Sequence, residues 1–219
     1  MQYDGASRSD CAIWNRCIWG GGDNQFFHQL YCSLPVVMLD KEDNELVQNC
    51  LNGDSKAFER LIEKYEKPVF NAALKIVGDF EDARDVTQTV FVKAFEKLEI
   101  FDFHYKFFSW IYKMTVNEAL NFMDKRKRQT SIDPGQIATA ETPEVIYDRK
   151  KLSGHVDKAL AELPLEYRLV IIFRHWVDLP YRDIGYILGI EENKVKSRLY
   201  TARRLLADIM TKRGLVTYG

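Results

Sequence analysis

A chain of 219 residues, 46% hydrophobic and 29% charged, has enough apolar side chains for one or two compact cores. Its formal net charge of -1 excludes a protein drawn onto nucleic acid by its overall field, so any affinity for a polyanion must come from segregated charge. No apolar run approaches the ~18 residues needed to span a bilayer. The start has neither a basic n-region nor a small-residue cleavage site, and the expectation is a cytoplasmic protein.

Residues 1–37 are rich in Gly, Cys and aromatics, poor in charge and without helical period. They read as an extension, disordered or arising from an upstream start choice, with no assigned job. Cys11, Cys17, His28 and Cys32 have the side-chain chemistry of a metal set. Their spacings of five, ten and three intervening residues do not match the close Cys pairs of structural zinc sites. No metal and no cofactor are expected.

From Asp40 the pattern is helical. Asp40 and Asp43 suit the cap of a first helix carrying Leu46, Val47, Cys50 and Leu51, ended by Asn52-Gly53. Asp54 or Ser55 caps the next, with Phe58, Leu61, Ile62 and Tyr65 on one face. Pro68 is expected to interrupt or kink it, leaving Val69 to Val77 as a third segment that stops at Gly78-Asp79. In "EDARDVTQTVFVKAFEKL" an apolar stripe runs through Ala83, Val86 or Thr87, Val90, Ala94 and Leu98, widened by Phe91 and Phe95. The opposite face carries Asp82, Asp85, Gln88, Thr89, Lys93 and Glu96, and Glu81 to Asp102 holds six acids and three bases. Such a face suits a basic protein partner.

The loop "IFDFHYKFFSW" follows, then a helix from Ser109 to about Arg126 that runs into "DKRKR". Phe101, Phe108 and Trp110 are expected in the core. A short loop cannot hide every other ring. Exposed rings beside Lys106 and the run Lys125 to Arg128 would make a stacking platform for unpaired bases, each stack worth roughly 1–3 kcal/mol. Taken alone, the loop fits core packing equally well. The basic run alone would be a solvated helix end that complements the helix dipole.

Residues 129–150 have two prolines, a glycine and little periodicity, and read as a linker. A second helical group, 151–213, has Pro164 in a first turn and ends in "DLPYRDIGYILGIEENKVKSRLYTARRLL". That stretch reads as a helix-turn-helix: Pro180 opens the first helix, Gly189 permits the turn and Asn193 caps the second helix. Gly185 lacks a side chain, so the crossing helix can approach closely. Val195, Leu199, Ala202, Leu206 and Ile209 form the buried stripe. The outward face carries Lys194, Lys196, Ser197, Tyr200, Thr201 and Arg203. Asn193 to Arg213 holds seven basic residues and one acid. Such a helix fits a major groove, with Lys196, Ser197, Tyr200 and Thr201 as readers of base edges and Arg203 and Arg204 on phosphate. The alternative is an ordinary helical hairpin with a solvated basic face; turn, spacing and charge together favour DNA.

The fold class is therefore all-α: two small helical domains, 38–128 and 151–213, joined by a flexible linker, the C-terminal one a helix-turn-helix. There is no phosphate-binding glycine loop, no G-x-S-x-G, no H-E-x-x-H, and no nucleophile near His28, His104, His155 or His175. An enzyme is not expected.

Four motifs in order, "DARDVTQTVFVKAFEKL", "FFSWIYKMTVNEALNFMDKRKR", "LPLEYRLVIIFRHW" and the helix-turn-helix, resemble the extracytoplasmic-function class of sigma-70-family RNA polymerase sigma factors over about residues 41–210. The resemblance implies core RNA polymerase and promoter DNA, duplex and single-stranded, as partners, and admits an anti-sigma factor. It implies that Asp82, Asp85, Gln88, Thr89, Lys93 and Glu96 dock on polymerase. Phe103, Tyr105, Lys106, Phe107, Asn117, Asn121, Lys125 and Arg126 would recognise and melt the minus-ten element. Lys194, Lys196, Ser197, Arg198, Tyr200, Thr201, Arg203 and Arg204 would bind the minus-thirty-five element. Three positions depart from the family pattern. Gly185 stands where Ala is usual, at some cost in helix stability, "EENK" replaces the usual turn, and the melting loop is unusually aromatic. A linker of residues 129–150 reaches some 75 Å when extended at ~3.4 Å per residue, enough for duplex sites roughly 60 Å apart. The rival reading is a two-domain helix-turn-helix regulator acting without polymerase.

Overall fold

The computed structural model describes residues 40–130 and 149–214. The extension at 1–37, with its Cys and His residues, and most of the linker lie outside the described residues. Everything described folds into helices and turns.

Helix α1, Asp40–Leu51, ends before Gly53, whose φ of 98° is the left-handed conformation that favours glycine. Asp43 does not act as a cap. It is 2% exposed, accepts a hydrogen bond from the Tyr65 hydroxyl and is ion-paired to Lys64, so it anchors α1 to the next helix.

Helix α2, Ser55–Val77, is capped by Asp54, whose carboxylate accepts from the Lys56 N–H at 3.0 Å. The break expected at Pro68 does not occur: the helix is continuous over 23 residues with Pro68 inside it. Proline in a helix costs about 3 kcal/mol. The face around it buries Phe58, Leu61, Tyr65, Val69, Ala72, Ala73 and Ile76. Each large apolar side chain there is worth roughly 1.5–3 kcal/mol, so the stripe outweighs the proline. Packing decides this helix.

Helix α3, Phe80–Glu96, starts at Asp79, whose side chain accepts from the N–H groups of Glu81 and Asp82, both at 3.0 Å. Ala83, Val86, Thr87, Val90, Phe91 and Ala94 are buried as expected. Phe95 is not: it is 56% exposed, with only its edge against Phe58. A 3-10 turn, Leu98–Ile100, leads to the aromatic loop. Helix α4, Phe107–Thr130, then runs through the core by way of Phe107, Phe108, Ile111, Tyr112, Val116 and Ala119.

The second domain comprises α5 (Arg149–Glu162), α6 (Leu165–Ile171) with a π turn at Ile172–Trp176, α7 (Tyr181–Leu188) and α8 (Glu192–Lys212). Its core is Val156, Leu160, Leu163, Val170 to Phe173, Ile184, Ile187, Val195, Leu199 and Leu206.

The two domains do not merely share a chain; they pack on each other. Lys75 Nζ lies 2.9 Å from Asp157 and 4.7 Å from the Trp176 ring centroid. Arg168 donates to the Ile76 carbonyl at 3.3 Å. The rings of Tyr112 and Phe173, both buried, meet edge to face at 5.6 Å. Burial raises the Tyr112 phenol pKa far above its ordinary value, so this hydroxyl stays neutral.

Candidate nucleic-acid interface

The helix-turn-helix is built from α7 and α8. Asp178 has a φ of 56°, rare for a residue with a side chain, and its carboxylate sits 3.3 Å from Arg174. Pro180, with φ -67° and ψ 152°, leads into α7, and Gly189 in the left-handed region ends it. Gly185 is needed for a closer reason than helix crossing. The Ile190 N–H donates to its carbonyl at 3.0 Å, and a Cβ on Gly185 would lie 2.7 Å from the Ile190 oxygen. The turn backbone, rather than the crossing helix, takes the space.

The expected Asn193 cap is corrected. Helix α8 begins at Glu192, Glu191 occupies the cap position without a side-chain cap bond, and Asn193 is an exposed residue of the helix. Val195, Leu199, Ala202 and Leu206 are buried, while Ile209 is half-buried and Met210 goes deeper.

On the outward face Lys194, Lys196, Ser197, Tyr200 and Arg204 are exposed, with Tyr200 at 65%. Lys196 pairs with Glu192 at 2.8 Å, and that bond and charge raise its ammonium pKa. The Ser197 hydroxyl donates to the Lys194 carbonyl at 3.0 Å. The Thr201 hydroxyl donates to the Ser197 carbonyl at 3.2 Å, and Thr201 is only half-exposed. Arg198 pairs with Glu166 at 2.7 Å. Arg203 departs from the expectation: it is half-buried, with a guanidinium nitrogen 3.5 Å from His175 Nε2, and it turns toward the core instead of phosphate. Burial, with Arg203 and Arg174 nearby, pushes the His175 pKa down to about 3. The imidazole is neutral at physiological pH. Arg204 stays outside, its guanidinium 6.0 Å from the Tyr200 ring centroid.

In the first domain a turn presents the aromatic loop. The Asp102 carboxylate accepts the His104 N–H at 2.9 Å and meets the His104 ring nitrogen at 2.7 Å, which lowers the Asp102 pKa, the backbone bond most. The Tyr105 N–H donates to the Asp102 carbonyl at 3.0 Å. Phe103 and Tyr105 stand out at 43% and 44% exposure. Phe107, expected among the melting residues, is corrected: at 1% exposure it is core, packed against Tyr65, Phe101 and Trp110. Phe101 and Phe108 are buried as expected and Trp110 is half-buried. Lys106 Nζ lies 5.4 Å from the Phe108 ring centroid. Asn117, Asn121, Lys125 and Arg126 are exposed along α4.

On α3, Asp85, Gln88, Thr89 and Glu96 are exposed, while the Thr89 hydroxyl bonds back to the Asp85 carbonyl at 2.8 Å. Asp82 and Lys93 are half-buried; Lys93 pairs with Glu118 at 2.7 Å and Asp82 with Arg126. The sequence reading missed the apolar continuation of this face, Val92, Phe95 and Ile100, at 58%, 56% and 74% exposure. Their helical spacing placed Val92 on the Asp85–Gln88 side, and that signal was available. It also missed Tyr186, half-buried on α7, whose ring stacks on Tyr105 at 4.0 Å and 20° between planes. No local signal could have paired residues so far apart.

Among the described residues no group of His, Cys, Asp and Glu could hold a metal, and no helix is long and apolar enough to cross a membrane.

Helical hairpins with an outward basic recognition helix, beside a second domain bearing solvent-facing rings and a basic helix end, define a two-domain helical DNA-binding protein. Its lineage is specific. Sigma-70 region 2 matches residues 61–129, and Sigma-70, region 4, matches residues 154–206. The chain is 27% identical over 185 residues to the RNA polymerase sigma-H factor of Pseudomonas aeruginosa, covering 78% of this chain and 94% of that one. It is 28% identical over 176 residues to the ECF RNA polymerase sigma-E factor of Escherichia coli, covering 75% and 92%. Against the ECF RNA polymerase sigma factor SigW of Bacillus subtilis it is 25% identical over 173 residues, covering 73% and 92%. Two solved structures share the fold. CnrH in complex with the cytosolic domain of CnrY has a TM-score of 0.61 at 21% identity, covering 78% of this chain and 98% of that one. The sigma factor RpoE of Bartonella quintana, in complex with the anti-sigma factor NepR, has a TM-score of 0.63 at 24% identity, covering 71% and 98%. The chain belongs to the sigma-70 family, as an RNA polymerase sigma factor of the ECF type with regions 2 and 4.

Proposed function

We propose that this chain binds core RNA polymerase through α3, melts the minus-ten element with the Phe103–Tyr105 loop and the α4 cations, and reads the minus-thirty-five element with α8. The supporting observation is the co-occurrence, in one chain and in order, of regions 2 and 4, each presenting the face its task needs. Duplex reading needs hydrogen-bonding groups on a helix, which Lys196 and Ser197 supply beside Lys194, Arg198 and Arg204. Strand opening needs unpaired bases to be held, since unstacking costs a few kcal/mol per step. The exposed rings of Phe103 and Tyr105, beside Lys106 in the loop, offset that cost.

The polymerase face is mixed. Asp85, Gln88 and Thr89 supply hydrogen bonds, and Val92, Phe95 and Ile100 supply area to desolvate. The chain performs no bond chemistry of its own; RNA synthesis belongs to the polymerase it directs, and its place of action is the cytoplasm. An anti-sigma factor is a further partner by analogy with the Bartonella quintana complex.

The test is reconstitution. Purified chain is added to core polymerase, and run-off transcription is scored on a library of genomic fragments. Specific transcripts that require the chain support the reading. Tight binding to a duplex without any association with core enzyme would favour the regulator that acts alone.

A further inference from the structure

We propose that Tyr181, at the start of α7, is the positioning residue for Lys196: its ring holds the ammonium once Lys196 leaves Glu192, and so restricts it to one base edge. The inference rests on the reading of Lys196 as a base-contacting residue. Lys196 Nζ lies 5.8 Å from the Tyr181 ring centroid and 2.8 Å from Glu192, so one ammonium has a holder on each helix of the hairpin. DNA affects the two holders differently. The Glu192 carboxylate, one turn back on α8, is repelled by phosphate, and its salt bridge must break before Lys196 can donate to a base. The ring carries no net charge, attracts a cation within about 6 Å and leaves the N–H donors of the ammonium for the base.

The ring is itself fixed by the turn before it. Asp178 takes a φ of 56°, and its carboxylate lies 3.3 Å from Arg174. Arg174 also donates to the Leu179 carbonyl at 3.2 Å, and its side chain is only 10% exposed. Its guanidinium carbon stands 5.3 Å from the Tyr181 ring centroid. Tyr181 is half-buried and follows Pro180, whose φ of -67° sets where α7 begins. A left-handed turn residue thus orients a nearly buried arginine, the arginine faces the ring, and the ring faces the reading lysine. Every member lies in the second domain.

The consequence is specificity more than affinity. Lysine is a point charge on a flexible four-carbon stem, and an unrestrained ammonium settles on phosphate as readily as on a base edge. A ring that limits its rotamers also lowers the entropy lost when it binds. Held in this way, the ammonium favours guanine, whose N7 and O6 are adjacent acceptors in the major groove.

The test changes the electronics of the ring and keeps its shape. Holoenzyme carrying Tyr181→Phe, and holoenzyme carrying pentafluorophenylalanine at the same position, are bound to single-base variants of the minus-thirty-five element. The fluorinated ring packs like phenylalanine but has lost the negative face that a cation needs. Discrimination at the base Lys196 reads should match wild type for Tyr181→Phe. It should be about two- to fivefold lower for the fluorinated ring, the scale of one exposed cation–π contact. Affinity for a random duplex, set by phosphate contacts, should stay within about twofold. In a Lys196→Ala background fluorination should have no further effect. If Tyr181→Phe lowers the melting temperature, tyrosine against fluorotyrosine makes the same comparison with the hydroxyl kept. Equal discrimination by the plain and fluorinated rings overturns the positioning role, and so does a fluorination effect that survives in Lys196→Ala. The underlying reading fails separately: a uniform loss for Lys196→Ala across the panel makes Lys196 a phosphate contact, and Tyr181 then has no base reader to position.

Discussion

Arg126, in the basic tail of α4, is ion-paired with Asp82 on the first turn of α3, 44 residues away in sequence. The pair joins a cation expected at DNA to an acid expected at polymerase. Burial raises the Asp82 carboxyl pKa, and the Arg126 charge opposes that rise. Asp82 is thus already answered within the chain, and Asp85, Gln88 and Thr89 are the groups left to meet a partner.

The double variant Asp85→Arg with Gln88→Ala should accordingly lower affinity for core polymerase by at least about tenfold, the scale of one interface hot spot. Helicity by circular dichroism should not change, because both side chains are exposed. Asp82→Asn should change core affinity little, as a half-exposed pair is worth about 0–1 kcal/mol. Competition with a labelled wild-type chain for core enzyme measures both. An Asp82→Asn loss larger than that of the double variant would move the docking site.

Lys196 must leave Glu192 to read a base. If it contacts a base edge, Lys196→Ala costs about 1–3 kcal/mol on the cognate duplex and relaxes preference at one position. Glu192→Gln should tighten binding to every sequence slightly, because a carboxylate near phosphates is removed. Holoenzyme binding to a panel of single-base variants of the minus-thirty-five element is the measurement. A uniform loss for Lys196→Ala would make it a phosphate contact.

Gly185→Ala should destabilise the second domain even though alanine is the better helix former by about 1 kcal/mol. The added Cβ meets the Ile190 carbonyl oxygen at 2.7 Å, and overpacking of this kind costs typically about 1–3 kcal/mol. A lower melting temperature is expected. A higher one would mean that the turn yields freely.

His175 provides a pH signature. Its folded pKa of about 3 lies below its ordinary 6.5, because burial and then Arg203 and Arg174 disfavour the imidazolium. Between those values the unfolded chain binds a proton that the folded chain refuses, so stability is intact above 6.5 and lost as pH falls toward 3. The slope reaches about 1.4 kcal/mol per pH unit. Urea midpoints from pH 6.5 to 4 should fall less steeply for His175→Gln than for wild type. Parallel curves would show that His175 titrates in both states alike.

Sequence periodicity carried the helical fold because most stripes, such as Ala83 to Ala94 and Val195 to Leu206, are local patterns. It failed where tertiary packing overrides a local signal. Pro68 looked like a break because its cost is local, whereas the face it sits in is buried by α1, α3 and α4. Phe107 looked like its neighbours Phe103 and Tyr105 in composition. It is set apart only by starting α4 and pointing at Tyr65 and Trp110. Arg203 was placed outward by helical spacing, yet its long stem folds back to His175, which belongs to a different element. Tyr186 and the domain seam had no sequence signal at all.

Permanganate reactivity of promoter thymines tests most directly whether this chain opens DNA as well as docking polymerase on it. Wild-type holoenzyme should make thymines of the minus-ten element reactive. With Phe103→Ala and Tyr105→Ala together, closed-complex binding should stay within about threefold of wild type, while reactivity falls by about tenfold or more, the loss of one to two base stacks. Phe107 is left unaltered in this variant because it is core. Full reactivity from a correctly folded variant would contradict the account, since the exposed rings would then take no part in strand opening.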